Sequence, residues 1–443
     1  MINKYKLLSG ILFAALWVQL CWGFICTDVL TSLEPTRSYI NFLLDVIYII
    51  LGCITIRNRH DIIVLFSFMG IAVLSAYVNN QGGVEFLNGF RDFVGLLFAA
   101  PIIRYFLTSK DSERFVRSFD KMLYIFLWIQ VPCIGSQFIR FGAGDAGGGS
   151  LGNYSSGQIS TLIYIISYYL LNKKWDDSVS YVQNIWTNRV YVFLLFPTFL
   201  NETKISIIYF IFYFVFLVKI DKKIIGRLFF IIPMSVLLFI FAGYLYLSLV
   251  GVNSDRYDSE YFTEYLIGDD IDHLMDVAEL VQDEVIETDN LWVVDLPRYG
   301  RFVALPEILS SATEGGIMLG AGVGQFKGGQ VLTSSGFASQ YQWYLQGSSI
   351  MLFFIIVQLG MIGLIWMLYD LISILFIPDH HTHSANLKLY LLMIITLILV
   401  YNDQFRNFYT CFILFYICFR GLQPYAKNNV SNVETQKSII WNR

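Results

Sequence analysis

The stretch SSIMLFFIIVQLGMIGLI, residues 348–365, runs without a single charged side chain. Crossing the hydrocarbon core of a bilayer takes about 20 apolar residues, and this stretch is the core of such a run. Similar runs recur outward from it along a chain of 443 residues that is 56% hydrophobic and only 14% charged. Soluble domains carry roughly a quarter charged residues. The sequence therefore predicts an all-α, polytopic membrane protein.

The apolar runs predict about twelve transmembrane helices. They lie at residues 7–26, 38–56, 61–78, 86–107, 120–139, 157–172, 189–201, 204–219, 227–250, 348–376, 388–402 and 405–420. We expect four regions: a membrane domain of about nine helices over 1–250, an extracytoplasmic cap over 251–347, a membrane domain of about three helices over 348–420, and a cytoplasmic tail over 421–443.

The distribution of lysine and arginine predicts the orientation, because cytoplasmic segments are enriched in both. With a cytoplasmic N-terminus, most of the 30 basic residues face inward, and an even number of spans leaves both termini in the cytoplasm. The nine that face outward are Arg37, Arg91, Arg140, Lys204, Arg256, Arg298, Arg301, Lys327 and Arg406. The segment 251–347, with sixteen acidic and four basic residues, then lies outside. Its stretch DDIDHLMDVAELVQDEVIE has helical periodicity, which favours a folded cap.

Two glycine-rich stretches are compared with the pattern of phosphate-binding loops. A dinucleotide-binding loop needs the spacing GxGxxG between a strand and a helix, but LGAGVGQF, residues 319–326, places its glycines at 320, 322 and 324. We expect these glycines to provide positive φ and close approach to neighbouring surfaces. GAGDAGGGS, from Gly142, is predicted to be a flexible outer loop. No cysteine and histidine cluster indicates a metal, and we expect no cofactor.

The order of several motifs resembles the O-antigen ligase and polymerase superfamily. PRYGRFVALPEILSSATEGGIMLGAGVGQF, residues 297–326, looks like the extracytoplasmic loop of that family, with a Gly-Arg, a short helix and alternating glycines that end in an aromatic residue. The following span is similar to the family's next helix, with its Leu-Gly-x-x-Gly step at 359–363. LFPTFLNETKISIIYF matches the place where the family carries a basic residue between two short helices, here Lys204.

The chain departs from the family pattern at two positions, and the second departure, a missing histidine, favours the polysaccharide polymerase branch. Lys204 stands where arginine is usual, which keeps the charge but loses the bidentate fork. Ligases also carry a loop histidine before the next helix, at a position that falls near Ser349 here, and no histidine lies nearby.

The resemblance implies an enzyme of the bacterial inner membrane that needs no metal. It would pass a glycan from undecaprenyl pyrophosphate to a sugar hydroxyl outside the membrane. The implied partners are the lipid-linked donor and acceptor, membrane lipid, a chain-length regulator and a flippase, with no nucleic acid. Cations can stabilise the departing pyrophosphate electrostatically, and a carboxylate can take the proton of the hydroxyl.

Five residues are the candidates for this chemistry. Arg301 matches the family's Gly-Arg, whereas Arg298 and Lys204 are cations on the outer side, with ion pairing and interfacial placement as their alternative roles. Arg91 lies in the outer half of a span, where a charge costs roughly 2.5–3.5 kcal/mol and usually pairs or lines a cavity. Its structural alternative is a pair with Asp92 or Asp45. Glu202 is a candidate base.

Other classes of membrane protein stay open. A ligase of the same superfamily is the nearest alternative, and a lipid-linked oligosaccharide flippase is the alternative from another class. The lack of internal repeats and the large outer segment count against a transporter. A structural or sensor protein is a third class, which no motif favours.

Overall fold

The computed structural model describes residues 4–142, 144, 146–153, 155–176, 178–201, 204–217, 299, 301–326, 336–345, 350–376 and 384–420. Within these residues 83% of the chain is helical and no strand is present, which confirms the all-α prediction for this part of the chain. The predicted span 227–250, the amphipathic stretch of the acidic segment and the tail 421–443 lie outside the described residues.

Helices occupy the other predicted spans. The first seven helices are α1 (Lys4–Phe24), α2 (Thr36–Thr55), α3 (Arg59–Val78), α4 (Gly83–Phe90), α5 (Val94–Leu107), α6 (Ser112–Phe141) and α7 (Ser156–Lys173). They are followed by α8 (Tyr181–Thr187), α9 (Arg189–Phe193), α10 (Pro197–Leu200), α11 (Lys204–Leu217), α12 (Arg301–Ala312), α13 (Gly316–Leu319), α14 (Phe337–Gln340), α15 (Gln342–Leu345), α16 (Met351–Leu375), α17 (Ser384–Tyr401) and α18 (Phe408–Phe419).

Six helical segments of the described chain are long and apolar enough to cross a membrane. They are Lys4–Val29, Thr36–Thr55, Arg59–Val78, Gly83–Leu107, Ser112–Phe141 and Met351–Leu375. Four shorter apolar helices accompany them, at Arg189–Leu200, Ile205–Leu217, Leu387–Tyr401 and Phe408–Phe419. Helices suit this environment because each backbone polar group finds its partner inside the segment. The architecture is consistent with a membrane protein.

The helix ends collect at two faces of the bundle. One face gathers the connections at 25–35, 79–82, 146–153, 313–326 and 402–407, and we call it the loop face. Hydrogen bonds join these connections and the adjacent helix ends, such as Asn79 Nδ2 to the carbonyl of Gly320 (2.9 Å) and Arg140 Nη1 to the carbonyl of Asp28 (2.7 Å). The second bond gives Arg140 a structural role.

The opposite face holds the other helix ends. The hydroxyl of Tyr5, near the start of α1, donates to the carbonyl of Asp111 at 3.1 Å. The ring of Tyr5 packs on Phe106, Phe106 stacks on Phe115, and Phe115 meets Tyr416 of α18. The start of the first helix and the end of the last described helix therefore share one face.

The end of the glycine stretch that follows α6 is packed inside the loop face, so the prediction of a flexible loop is wrong for residues 147–150. Gly149–Leu151 forms a buried 3₁₀ turn. The backbone N–H groups of Gly149 and Ser150 donate to the side-chain oxygens of Gln137 (2.7 Å) and Gln130 (2.9 Å) of α6. Polar side chains on α6 thus replace water as partners of this backbone.

Candidate functional site

The span formed by α4 and α5 is interrupted by a 3₁₀ turn, Arg91–Phe93. A 3₁₀ turn has three residues per turn and often marks a functional position inside a helix. Successive side chains are about 120° apart in such a turn, so Arg91 and Asp92 reach different neighbours. Arg91 contacts α2, and Asp92 contacts the connection between α17 and α18.

Arg91 forms an ion pair with Asp45, about 13 Å along the axis from the start of α2. Its Nε donates to Asp45 Oδ2 at 2.9 Å, and its Nη1 lies 3.5 Å from Asn88 Oδ1. The guanidinium lies 5.1 Å from the centre of the Phe42 ring, a side chain that is itself exposed. The pairing with Asp45 is the structural role considered from the sequence. The hydrogen bond to Asp45 uses one of the five N–H donors of the Arg91 guanidinium.

The side chain of Arg91 is nevertheless open to its surroundings. It is 26% exposed, and Asp45 is 15% exposed. Within the described residues no carboxylate other than Asp45 lies at ion-pair distance from Arg91. The outer edge of the guanidinium therefore has donors to offer to a bidentate acceptor such as a phosphate.

Arg406 is a functional candidate that the sequence analysis placed on the outer side without assigning it a role. It lies in the 3₁₀ turn Gln404–Arg406. Its Nη1 donates to Asp403 Oδ2 at 2.8 Å, and its Nη2 donates to both carboxylate oxygens of Asp92 at 3.2 and 3.3 Å. The signal that could have found it is the one used for Lys204, a basic residue between two short apolar helices.

Three ion pairs make one charged group of three aspartates and two arginines: Asp45, Asp92, Asp403, Arg91 and Arg406. One carboxylate is in excess. Asp92, with 30% of its side chain exposed, is adjacent to Arg91 in the chain. The group thus presents an open cation beside an open carboxylate.

The glycine octapeptide at 319–326 forms the wall of this region. Gly320, Gly322 and Gly324 all have positive φ, at 67°, 109° and 97°. A Cβ at Gly320 would lie 2.6 Å from the Val357 carbonyl oxygen, and one at Gly324 would overlap the carbonyl of Glu85. These glycines permit a strained backbone and close approach, which confirms the interpretation made from the sequence.

The octapeptide is inserted against a break in α16. Gly360 has φ 65° inside that helix, and a Cβ there would overlap the backbone of Met318. The N–H groups of Ala321 and Gly322 donate to the carbonyls of Val357 (2.7 Å) and Gln358 (3.2 Å), just before the break. The insertion carries Phe326 to Arg406, with 5.6 Å between its ring centre and the guanidinium carbon.

Arg301 begins α12 and is buried. Burial raises the pKa of the Tyr344 hydroxyl, against the opposing charge of Arg301. That hydroxyl is therefore protonated and donates to the carbonyl oxygen of Arg301. The next residue, Phe302, meets the ring of Phe353, which in turn meets Phe326. Aromatic rings thus connect the neighbourhoods of Arg301 and Arg406.

The structure describes less of the other three candidate residues, Lys204, Glu202 and Arg298. Lys204 is the first residue of α11, and Asn201, three residues before it, donates to Ser160 Oγ at 3.0 Å at the loop face. Glu202 and Arg298 lie outside the described residues. In the part of the chain that the structure describes, no three His, Cys, Asp or Glu side chains are grouped to hold a metal ion.

The fold and this charged group define a class: a helical protein with several spans long enough for a membrane and an open arginine near one face. Comparisons with protein-family models, with curated proteins and with solved structures gave no match for this chain.

Proposed function

We propose that this protein is a polysaccharide polymerase of the bacterial inner membrane. It transfers a glycan from undecaprenyl pyrophosphate to a sugar hydroxyl at the loop face. The observation that carries the proposal is Arg91, a guanidinium with available donors, 26% exposed and stacked on an exposed ring. A lipid-linked diphosphate approaching from the bilayer meets a group suited to it.

The topology predicted from the sequence belongs to this proposal. About twelve spans, an extracytoplasmic segment at 251–347 and two cytoplasmic termini would make the loop face the outer face. The shared face of Tyr5 and Tyr416 supports this arrangement. A reporter fused within 251–347 should be active only outside the cell. Activity inside would overturn the orientation and the proposed reaction together.

The reaction assigns a separate role to each neighbour in the 3₁₀ turn. The acceptor hydroxyl oxygen bonds to the anomeric carbon of the donor, and the bond from that carbon to the phosphate oxygen breaks. The electron pair leaves with the pyrophosphate, whose charge Arg91 stabilises. Asp92 takes the hydroxyl proton. Glu202 is the alternative base, and Arg301, Arg298 and Lys204 are further cations for the diphosphate.

The test is a glycan ladder from cells whose own gene is deleted. Wild-type protein should restore long chains, whereas Arg91→Ala and Arg301→Ala should leave single repeat units at equal protein levels. Removing one such donor usually lowers the rate about 100- to 1,000-fold. Arg104→Lys is the matched control, since it keeps a charge opposite Asp61 and lies at the other face. A normal ladder from Arg91→Ala would refute the role of Arg91.

The same deletion separates polymerase from ligase. Loss of a polymerase leaves one repeat unit on the acceptor, whereas loss of a ligase leaves full-length polymer that is not attached.

A lipid-linked oligosaccharide flippase is the second candidate, and one observation favours it. Asp370 is a buried carboxylate inside α16, and intramembrane carboxylates often belong to the proton relays of transporters. In cells without a flippase, complete repeat units would accumulate on the cytoplasmic leaflet. A polymerase defect would leave them on the outer leaflet.

A further inference from the structure

A second group of titratable side chains lies at the opposite face, away from Arg91. Asp370 of α16 is 3% exposed, and its Oδ2 has no hydrogen-bond partner among the described residues. Three groups act on it electrostatically: His60 and Asp61 of α3 and Arg104 of α5.

His60 completes the group from the N-terminus of α3. The side chain of Asn58 accepts the backbone N–H of His60 at 3.1 Å and so caps the helix. The imidazole stacks on Tyr369, the neighbour of Asp370, with 6.1 Å between ring centres. Neither ring nitrogen has a hydrogen-bond partner among the described residues, and Nδ1 lies 3.9 Å from Asp61 Oδ1.

The charges of this group balance only if it holds a proton. Asp61 and Arg104 form an ion pair and neutralise each other, so the carboxyl of Asp370 is in excess. An isolated ionised carboxylate in an apolar interior is so unfavourable that the group neutralises instead. Two positions can carry the neutralising proton, the carboxyl of Asp370 or the imidazole of His60.

We infer that His60 and Asp370 form a proton-binding site at the opposite face. The side chain of His60 is 22% exposed, and both of its ring nitrogens are buried. The ligand is a single proton, and its loss leaves an unpaired charge in α16. The same helix is broken at Gly360, where the octapeptide is hydrogen-bonded to it. This inference does not depend on the proposed function.

Asp120 provides a matched control because it is also a buried carboxylate near the opposite face. It accepts hydrogen bonds from Tyr169 (2.9 Å) and Tyr416 (2.8 Å) and pairs with Lys173 (2.5 Å). These partners satisfy its charge. Asp120 therefore differs from Asp370 in having hydrogen-bond and ion-pair partners for both of its carboxylate oxygens.

The experiment is pH-difference infrared spectroscopy of the purified full-length protein in detergent micelles, from about pH 5 to about pH 8, the range in which histidine titrates. A band of a protonated carboxyl group should be present, should disappear in Asp370→Asn, and should persist in Asp120→Asn. His60→Gln should strengthen it, because Asp370 then becomes the only position for the proton. The site is refuted if the band is missing from both the wild type and His60→Gln, or if it survives in Asp370→Asn.

Thermal unfolding gives an independent measurement on the same samples. The folded state binds the proton more tightly than the unfolded chain, in which Asp370 is an ordinary carboxyl. The contribution of this site to stability is therefore greatest at low pH and decreases as the pH rises through the titration of the folded site. Asp370→Asn should remove this part of the pH dependence, whereas Asp120→Asn should keep it. Equal slopes in the wild type and Asp370→Asn would contradict the inference.

Discussion

The segment α4–α5 carries one arginine toward each face, and each arginine has the same kinds of partner, an aspartate and a phenylalanine ring. Arg91 pairs with Asp45 of α2 and stacks on Phe42, while Arg104 pairs with Asp61 of α3 and stacks on Phe419. The two ion pairs differ in how much of their side chains is exposed. The Arg91 and Asp45 side chains are 26% and 15% exposed, against 14% and 4% for Arg104 and Asp61.

The aromatic rings explain this difference in access. Phe42 is an exposed side chain on the surface of the bundle, whereas Phe419 is buried inside it. A closed pair holds helices together, and its donors are covered. An open pair keeps donors for a ligand, so the same chemistry serves structure at one face and binding at the other.

The largest effect should come from breaking the closed pair. Arg104→Ala leaves Asp61 as an uncompensated buried charge, which typically costs about 3–5 kcal/mol. We expect a large loss of folded protein in membranes, measured by detergent-resistant fluorescence of a fused reporter. Arg91→Ala should lose much less, because its carboxylate partner is partly exposed. An equal loss of folded protein in Arg104→Ala and Arg91→Ala would show that the closed and open pairs contribute equally to stability.

Gly360→Ala should disturb the wall of the loop face. The residue has φ 65°, and its Cβ would overlap Met318. The strained backbone alone costs of order 1–3 kcal/mol, so we expect a lower unfolding temperature and loss of the glycan ladder.

Gly70→Ala is the control for this change. A Cβ at Gly70 meets nothing within 4 Å, and alanine is the better helix former by about 1 kcal/mol. If Gly360→Ala and Gly70→Ala have the same unfolding temperature and the same glycan ladder, the role given to the helix break is wrong.

Arg91→Lys tests whether the open arginine acts as a fork or as a point charge. Lysine keeps the charge but cannot bind a phosphate in a bidentate manner. We expect roughly tenfold slower chain growth, equivalent to about 1.4 kcal/mol, with unchanged protein level. Arg104→Lys should leave chain growth unchanged. Full activity from Arg91→Lys would show that a positive charge at this position is sufficient.

The smallest effect should follow from Asp45→Asn. Asparagine keeps an oxygen for the Nε of Arg91 but removes the charge that competes with a phosphate. Partly exposed ion pairs contribute up to about 1 kcal/mol, so we expect the donor to bind less than about tenfold more tightly, with little change in stability. Titration with a lipid-linked donor measures this. Weaker binding would show that Asp45 orients Arg91 instead of competing for it.

Local patterns were enough for several features of the site. The alternating glycines indicated positive φ and close approach, and the backbone at Gly320 and Gly324 has both. The depth of Arg91 within an apolar run indicated a paired charge, and Asp45 was one of the partners considered. The role of Arg406 was missed, because its partners Asp92 and Phe326 are remote in sequence and only folding brings them together.

The amino-acid sequence by itself determined that the chain is helical and has several segments suited to a membrane, because hydrocarbon length and backbone hydrogen bonding depend on local composition. Only the tertiary structure decided which arginine is open. Exposure depends on what packs beside a side chain: Arg91 lies beside the exposed Phe42, and Arg104 lies beside the buried Phe419. No local pattern carries that information, since the two pairs are chemically alike.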